Sequence, residues 1–275
     1  IYVMGPNGEG LQRLTSSSMD GYSPAWSPDG RRIAFACRSG GDWDICVMDA
    51  DGGELDTLVS HPRNDEGPSW SPDGERIAFH SDRDGDDEIY VMNLFGSSAV
   101  QLTHNTVDDK YPVWSPDGRR IAFHSNRYGN EDIFVMDDDG TGETRLTDHS
   151  TNDWWAAWSP EGQMIAFNCL RYGSAEICLF DLNRGTVERL THSTGGCAVL
   201  LHIPTRQVLA MVDYPSYDPN TSYGQIIELA ARDNIRKPHI FRAVGKDYYP
   251  GSTVKPMILT AALTEGVVSP HETIT

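Results

Sequence analysis

Trp26-Ser-Pro-Asp-Gly30 is the stretch that decides the fold, because it returns at Trp70 and Trp114, and at Trp158 with Glu in place of Asp, each copy 44 residues after the last. Two further markers keep the same period. An Ile-x-Val-Met-like stretch starts at Ile1, Ile45, Ile89, Ile133 and Ile177, and a Leu-Thr-like pair starts at Leu14, Leu58, Leu102, Leu146 and Leu190. Three markers in one register over five copies indicate an internal repeat.

Each repeat predicts four short strands. The Pro-Asp-Gly turn separates the Trp strand from an Ile-Ala-Phe strand. The next turn, predicted as a two-residue hairpin, is centred on Gly41-Asp42, Gly85-Asp86, Gly129-Asn130 and Gly173-Ser174 in successive copies. Four-stranded units of this length are the blades of β-propellers. We therefore predict a mainly β fold over residues 1–191, a β-propeller of four complete blades plus a half-blade.

The repeat resembles one known family. From Trp70 onwards it runs Trp-Ser-Pro-Asp-Gly, Ile-Ala-Phe, Ser-Asp-Arg-Asp-Gly and Ile-Tyr-Val-Met, which is similar to the TolB-like propeller repeat. The resemblance covers residues 1–191. It implies a binding platform in the bacterial envelope whose protein or glycan ligand is unknown, since a fold does not fix an activity.

The net charge of −18 is confined to the repeats. Residues 1–191 hold 15 Lys and Arg against 33 Asp and Glu, whereas residues 192–275 hold seven of each. Because an acidic surface repels phosphate backbones, we expect no nucleic-acid partner. No apolar run approaches the roughly 18 residues of a membrane span, so membrane contact is expected only through an N-terminal anchor outside this sequence. The acidic excess and the repeat both end near residue 191, which predicts two domains, 1–191 and 192–275.

The five cysteines are Cys37, Cys46, Cys169, Cys178 and Cys197. Cys37 and Cys169 share one repeat position, and Cys46 and Cys178 share another. With Gly41-Asp42 as the turn, we expect Cys37 to face Cys46 across the hairpin in a non-hydrogen-bonded pair, close enough for a disulfide. Two such disulfides, Cys37–Cys46 and Cys169–Cys178, would indicate an oxidising compartment. The alternative is four buried thiols that fill space between blades.

The acidic turns and the histidines predict no metal site and no cofactor. Asp82, Asp84, Asp86 and Glu88 alternate along one turn, but the EF-hand spacing is not met, and turn chemistry accounts for these residues. The nine histidines show no His-x-x-x-His spacing. The tryptophans outside the repeat marker are Trp43, Trp154 and Trp155. They could line a ligand surface at one end of the propeller, although packing between blades is the favoured interpretation.

The segment after Thr191 contains different motifs. Tyr248-Tyr-Pro-Gly-Ser-Thr-Val-Lys-Pro256 includes Ser252 and Lys255 in Ser-x-x-Lys spacing. Pro250-Gly251 predicts a helix that begins near Ser252, so the lysine amine, three residues on, can reach the serine hydroxyl. A lysine whose pKa is lowered by burial or by nearby positive charge can activate a serine as a nucleophile. By itself the motif also fits a surface helix turn.

The surrounding sequence resembles the start of the transpeptidase domain of penicillin-binding proteins. The matching stretches begin at Val208, Tyr248 and Glu265, and the resemblance covers roughly residues 196–275. It implies a partial α/β fold and a D,D-transpeptidase that cross-links peptidoglycan stem peptides and is acylated by β-lactams. Ser252 would attack the D-Ala-D-Ala carbonyl, with Lys255 as general base and the Ser252 backbone N–H as one oxyanion-hole donor.

This sequence also departs from that family. The downstream Ser-x-Asn and Lys-Thr-Gly motifs are missing, only 20 residues follow Lys255, and Phe241 stands where the family usually has Asn. We therefore expect an incomplete fragment in which these 275 residues alone have no transpeptidase turnover. Together, the two resemblances imply an extracytoplasmic location, in the periplasm or at the outer face of the bacterial cytoplasmic membrane.

Two rival functions are considered. A propeller joined to a catalytic domain is also found in the prolyl oligopeptidase family, but the required Gly-x-Ser-x-Gly elbow does not occur here. The other rival is a non-catalytic TolB-like propeller that acts as a protein-interaction platform in the cell envelope.

Residues 202–211 raise a further hypothesis about the fold. They lie 44 residues after Trp158–Phe167 and share Pro, Gln and Ala with that stretch. This hairpin could supply the first two strands of a fifth blade, with residues 1–15 supplying the last two. The ring would then close without an exposed edge strand.

Overall fold

The computed structural model describes residues 1–5, 9–38, 41–94, 98–173 and 175–190, and the backbone of 198–202 and 207–212. All regular structure in these ranges is β-strand, and none of the described residues forms a helix long and apolar enough to cross a membrane. Ser252, Lys255 and Cys197 lie outside the described residues, as does the predicted α/β segment apart from the backbone of 198–202 and 207–212.

Sixteen strands form four antiparallel sheets, and in each sheet the strands pair in chain order. Sheet 1 contains β3 (Asp20–Trp26), β4 (Arg32–Arg38), β5 (Asp44–Asp49) and β6 (Asp56–Val59). Sheet 2 contains β7 (Asp65–Trp70), β8 (Arg76–Ser81), β9 (Glu88–Asn93) and β10 (Val100–Gln101). Sheet 3 contains β11 (Asp109–Trp114), β12 (Arg120–Ser125), β13 (Asp132–Asp137) and β14 (Thr144–Arg145). Sheet 4 contains β15 (Asp153–Trp158), β16 (Met164–Cys169), β17 (Glu176–Asp181) and β18 (Thr186–Arg189).

The sheets pack side by side through their first strands. Strand β7 contacts both β3 and β11, and β11 contacts β15, so these four first strands form one shared surface, which we call the inner face. The second strands are buried on both sides, and each contributes one fully buried phenylalanine to the core: Phe35, Phe79, Phe123 and Phe167. A strand covered on both faces favours a continuous apolar run, as in the repeated Ile-Ala-Phe.

The repeated tryptophan joins one sheet to the next. Trp70 Nε1 donates to the Ala25 carbonyl at 3.1 Å, and the Arg32 guanidinium carbon lies 4.9 Å from the Trp70 ring centroid. Two repeats later, Trp158 Nε1 makes the equivalent bond to the Val113 carbonyl. Trp114 Nε1 has no hydrogen-bond partner among the described residues, but Arg76 lies over the Trp114 ring at 4.4 Å. Arg120 lies over the Trp158 ring at 4.8 Å, so the arginine contact is the feature shared by all three copies.

The predicted Ser-Pro-Asp-Gly turn is confirmed. In sheet 1, Ser27 Oγ donates to Asp29 Oδ1 at 2.6 Å, and the Gly30 N–H donates to the Ser27 carbonyl at 2.9 Å. Gly30 has a φ of 69°, which a residue without a Cβ adopts at little cost.

The predicted two-residue hairpins are wrong. In sheet 2 the last pair before the turn is Ser81 with Glu88, so six residues, 82–87, connect the strands. The turn is this long because residues that follow Ser81 bond to the first strand and its approach instead of pairing with the third strand. Asp82 Oδ1 accepts a hydrogen bond from the Asn64 N–H at 2.8 Å, and Arg83 reaches back to Asp65.

The two predicted disulfides are present, with Cα atoms 5.8 Å apart in Cys37–Cys46 and 6.0 Å apart in Cys169–Cys178. The expected direct pairing across the hairpin is wrong. Cys37 stands opposite Asp44, and Cys46 stands opposite Phe35, because the turn is longer and is centred one residue earlier than predicted. The sulfur atoms therefore meet diagonally on one face of the sheet, a separation that cross-strand side chains can span.

Two further hairpins lie at the ends of the described chain. β1 (Tyr2–Val3) pairs with β2 (Gln12–Arg13), and Ile1 and Leu14 pack on the core of sheet 1. β19 (Ala198–His202) pairs with β20 (Gln207–Val212), which contacts sheet 4. In the ranges that the structure describes, the two hairpins do not pair with each other, so the single fifth blade built from both chain ends is not formed.

Candidate functional site

Each first strand carries a bulge on the inner face. The pairing with the second strand shifts register within residues 22–25, 66–69, 110–113 and 154–157. One repeat position inside these bulges has a positive φ in all four sheets: Ser23, Gly67, Tyr111 and Trp155, at 50°, 62°, 52° and 56°. Because non-glycine residues rarely adopt this region, and bulges re-aim side chains, this strain at one shared position marks the inner face as a candidate site.

Among these four residues, position 67 is a glycine because there is no space for a side chain. A Cβ atom on Gly67 would lie 2.8 Å from both Cε1 and Nδ1 of His80. The imidazole of His80 thus occupies the space that a side chain would need, and its Nδ1 accepts a hydrogen bond from the Tyr111 N–H at 3.4 Å.

Aromatic rings continue along the inner face from this histidine. The Tyr111 ring lies between two imidazoles, with its centroid 4.8 Å from that of His80 and 5.4 Å from that of His124. Its other neighbour is the indole of Trp155, edge-on at 6.4 Å. Trp155 is 46% exposed, so its ring contacts the neighbouring sheet through Tyr111 and is also open to solvent.

Carboxylates surround these rings. Glu66 Oε2 lies 3.5 Å from His80 Nε2. Burial raises the pKa of Glu66, but hydrogen bonds from His80 and Tyr22 outweigh it and bring the pKa below its usual value, so Glu66 is ionised. Lys110 Nζ lies 2.8 Å from Asp108 and 3.0 Å from Asp87. Burial opposes charge on Lys110, yet these two partners raise its pKa and keep it protonated.

Three buried polar atoms near these rings have no hydrogen-bond partner in the part of the chain that the structure describes: His124 Nδ1, Glu131 Oε2 and Asn168 Oδ1. Glu131 Oε2 lies 3.9 Å from His124 Nε2, and Asn168 stands opposite Trp154 in the strand pairing. His124 and Asn168 are 5% and 2% exposed and occupy the same repeat position as His80. Burial, followed by the charges of His80 and Lys110, lowers the pKa of His124 to about 3, so this imidazole is neutral. Burial raises the pKa of Glu131. Among the residues described, no group of three or more His, Cys, Asp or Glu could hold a metal ion.

A second repeated set of charges lies inside the sheets. Arg83 donates to Asp65 at 2.6 Å, Arg127 donates to Asp109 at 2.8 Å, and Arg171 donates to Asp153; the three carboxylates are fully buried. These aspartates each begin a first strand, and their arginines lie in the turn after the second strand. Because a buried charge is stabilised by a bonded partner, we assign these pairs to the fold and not to the site.

Glu88 is the exception among the buried acids that begin the third strands. Asp132 and Glu176 are bonded to Arg145 and Arg189. At the same repeat position sheet 2 has Gln101, and Glu88 instead accepts a hydrogen bond from the Asn105 N–H at 2.6 Å. Burial, aided by the charges of Asp109 and Asp86, raises the pKa of Glu88 to about 7.

Four-stranded antiparallel sheets packed through their first strands define the β-propeller class. The family model of the TolB beta propeller domain matches residues 1–112 and 106–216, and the chain belongs to this family. Among solved structures, TolB from Acinetobacter baumannii is 29% identical with a TM-score of 0.61, over 69% of this chain and 48% of that one. A putative TolB from Agrobacterium tumefaciens, 23% identical with a TM-score of 0.53 over 65% of this chain and 83% of that one, shows the same fold.

The C-terminal residues match a second family model, the penicillin binding protein transpeptidase domain, over residues 196–275. The peptidoglycan D,D-transpeptidase FtsI of Escherichia coli is 41% identical over 73 residues, which are 26% of this chain and 11% of that protein. The D,D-transpeptidase MrdA of Haemophilus influenzae is 37% identical over 91 residues, which are 32% of this chain and 14% of that protein. The chain thus spans only 11–14% of the length of these two curated relatives.

Proposed function

We propose that this chain is part of a penicillin-binding peptidoglycan D,D-transpeptidase that uses a serine acyl-enzyme, with the propeller as an attached binding module. The observation that carries the proposal is the transpeptidase match over residues 196–275, which includes Ser252 and Lys255. The identity of 41% to FtsI over 73 residues supports it.

In this proposal Ser252 is the nucleophile and Lys255 is the general base. The lysine takes the hydroxyl proton while the serine oxygen attacks the carbonyl of a stem peptide or of a β-lactam, and the Ser252 backbone N–H stabilises the oxyanion. The tetrahedral intermediate then collapses: the peptide bond to the terminal D-Ala breaks, Lys255 returns the proton to the departing amine, and the acyl-enzyme remains. In a β-lactam the bond that breaks is the ring amide, so the amine stays attached to the acyl group. An amine from a second stem peptide then attacks the acyl-enzyme, which forms the cross-link and releases the serine with its proton.

The proposed domain organisation is a propeller over residues 1–191, with four complete blades and a half-blade, followed by a partial α/β transpeptidase segment over 192–275. The two family models overlap at residues 196–216, where β19 and β20 lie. The two disulfides support an extracytoplasmic, oxidising location, in the periplasm or at the outer face of the cytoplasmic membrane.

Labelling with a fluorescent penicillin tests the proposal, using the product of the intact reading frame that encodes these residues. We expect covalent labelling that Ser252→Ala abolishes. Lys255→Ala should slow acylation by about 100-fold or more, because a general base contributes that much. Ser216→Ala, a nearby serine outside the motif, is the control and should label normally. Labelling that survives Ser252→Ala would refute the assignment of the nucleophile.

The second candidate is a non-catalytic TolB-like propeller that serves as a protein-interaction platform in the cell envelope. The 29% identity to the Acinetobacter TolB over 69% of the chain favours it. The same labelling experiment separates the two functions, since an interaction platform would not react with penicillin in any variant.

A further inference from the structure

We propose that the inner face binds a protonated primary amine, and that its source is the free side-chain amine of a peptidoglycan stem peptide. The choice of source rests on the proposed function, whereas the amine chemistry rests on the described residues alone. We call the residues Tyr111, His124, Glu131, Trp155 and Asn168 the inner-face site.

The first argument is the set of unpartnered acceptors. Glu131 Oε2 and Asn168 Oδ1 can only accept hydrogen bonds, and both atoms are buried without a partner. An unsatisfied buried polar group costs about 1–3 kcal/mol, so a ligand that brings donors gains by satisfying them. An ammonium group carries three donors and no acceptor, so it can donate to both oxygens without leaving an acceptor of its own unsatisfied.

The second argument is the charge around these acceptors. The carboxylates of Glu66, Asp87, Asp108 and Glu131 lie around the rings, and Lys110 is bonded to two of them. The neutral His124 adds no positive charge. A net negative site attracts a cation and repels an anionic ligand such as a phosphate or a carboxylate.

The third argument is the aromatic wall. The Tyr111 and Trp155 rings lie 6.4 Å apart and edge-on, and both residues have the positive φ of the bulge. The exposed Trp155 ring offers a face for cation–π contact with an ammonium and for apolar contact with its alkyl chain. A neutral sugar could stack on the same rings, but it would leave the carboxylate charge uncompensated.

The source follows from the reaction proposed for residues 196–275. An acyl-enzyme of Ser252 becomes a cross-link only when an amine attacks it, so the enzyme needs a second stem peptide with a free side-chain amine. A module on the same chain that holds such peptides raises their local concentration near the nucleophile. The inner-face site thereby holds the stem peptide whose amine attacks, while Ser252 carries the acyl group of the other stem peptide.

Two tripeptides test the proposal by calorimetric titration into the whole chain. Nα-acetyl-Lys-D-Ala-D-Ala keeps the side-chain amine, and its Nε-acetylated form replaces the charged ammonium with a neutral amide that has one N–H donor. We expect the free amine to bind and acetylation to weaken binding at least tenfold. Equal binding of the two peptides, or binding of neither, would overturn the proposal.

Variants locate the binding. Trp155→Gly is compatible with the positive φ and removes the exposed indole, and we expect it to weaken binding of the amine peptide at least tenfold. Trp26→Phe, at a tryptophan that is 50% exposed at the far end of its strand, is the matched control and should bind normally. Unchanged binding by Trp155→Gly in a folded protein would place the site elsewhere and overturn the proposal.

Two further experiments distinguish the proposal that the site binds an amine from the proposal that this amine belongs to a stem peptide. Hexalysine that binds at this site more tightly than the tripeptide would overturn the stem peptide as the source and point to a basic protein segment. Titration of the Ser252→Ala variant keeps the result independent of acylation. Amine binding without penicillin labelling would refute the proposed transpeptidase while supporting the inner-face site. Penicillin labelling without amine binding would support the transpeptidase and refute the inner-face site.

Discussion

Arg127 donates a hydrogen bond from Nη2 to Asp109 Oδ2 at 2.8 Å, and its guanidinium carbon lies 4.5 Å from the centroid of the Phe134 ring. The Asp109 carboxylate is fully buried. Arg127→Met keeps most of the side-chain volume but leaves this carboxylate without its charged partner. We expect a loss of about 3–5 kcal/mol in the free energy of unfolding, because a buried charge that loses its partner is strongly destabilising. Urea denaturation at pH 7 measures it.

Sheet 1 offers the control for this pair. Arg38 and Asp20, each one residue before the corresponding repeat position, form an ion pair at 3.0 Å, but both side chains are exposed to solvent. Arg38→Met should therefore cost no more than about 1 kcal/mol. Equal losses in the two variants would contradict the assignment of the Arg127–Asp109 pair to the stability of the fold.

Glu88 predicts a pH dependence of stability. Its pKa in the folded protein is about 7, against a usual value of 4.5, so the folded state binds the Glu88 proton more tightly than the unfolded state. This stabilisation is present at low pH and is lost as the pH rises from 4.5 to 7, by about 3 kcal/mol in total. Glu88→Gln removes the titration. The difference in unfolding free energy between wild type and Glu88→Gln should therefore change by that amount between pH 4.5 and pH 8. A constant difference would contradict the prediction.

Gln101→Arg should supply the partner that sheets 3 and 4 already have. Arg145 and Arg189 occupy this repeat position and are bonded to Asp132 and Glu176. A guanidinium beside Glu88 favours its ionised form and lowers its pKa. We expect this variant to be more stable than wild type at pH 8, by about 1–3 kcal/mol, with little gain at pH 4.5. The gain should vanish when Glu88→Gln is added, and urea denaturation of the four proteins forms the double-mutant cycle.

Gly67→Ala tests the strained bulge on the inner face. Its φ is +62°, and the added Cβ would lie 2.8 Å from the His80 ring. We expect a loss of about 1–3 kcal/mol from the backbone conformation, with a further loss from displacement of His80. Gly41→Ala is the control, since no atom lies within 4 Å of its added Cβ. Similar melting temperatures for the two variants would show that the bulge does not require glycine there.

The disulfides make a prediction about thiol content. The chain has five cysteines, and four of them are paired as Cys37–Cys46 and Cys169–Cys178, which leaves Cys197. Titration of the purified protein with a thiol reagent in denaturant should give one thiol per chain, and five after reduction. A count of five without reductant would support the alternative of buried free thiols.

Much of the fold can be predicted from the sequence because the repeated residues themselves form the turns and the contacts between sheets. The tryptophan of the marker needs a neighbouring sheet, and Trp70 finds it through the Ala25 carbonyl. The Ser27-Pro-Asp-Gly30 turn closes on its own side chains. The bond from the glycine N–H to the serine carbonyl of this turn recurs in all four copies, so the spacing of 44 residues predicts it. The disulfide partners followed in the same way from a shared repeat position.

The features that could not be predicted depend on side-chain contacts between strands. The long hairpin turns arise because Arg83 bonds to Asp65 in the neighbouring strand, which a count of turn residues does not reveal. The inner-face bulge is equally hidden, since Ser23, Gly67, Tyr111 and Trp155 share no chemistry. The sequence does contain one signal of the site: His80 and His124 occupy one repeat position and pair with Glu66 and Lys110 across the first two strands.

Mass spectrometry of the penicillin-treated product of the intact reading frame tests the central claim most directly. The account predicts one acyl adduct per chain, on the peptide that contains Ser252, and the same adduct at a much lower rate in Lys255→Ala. An adduct on any other residue, or no adduct at all, would contradict the claim that a TolB-family propeller is here joined to a penicillin-binding transpeptidase.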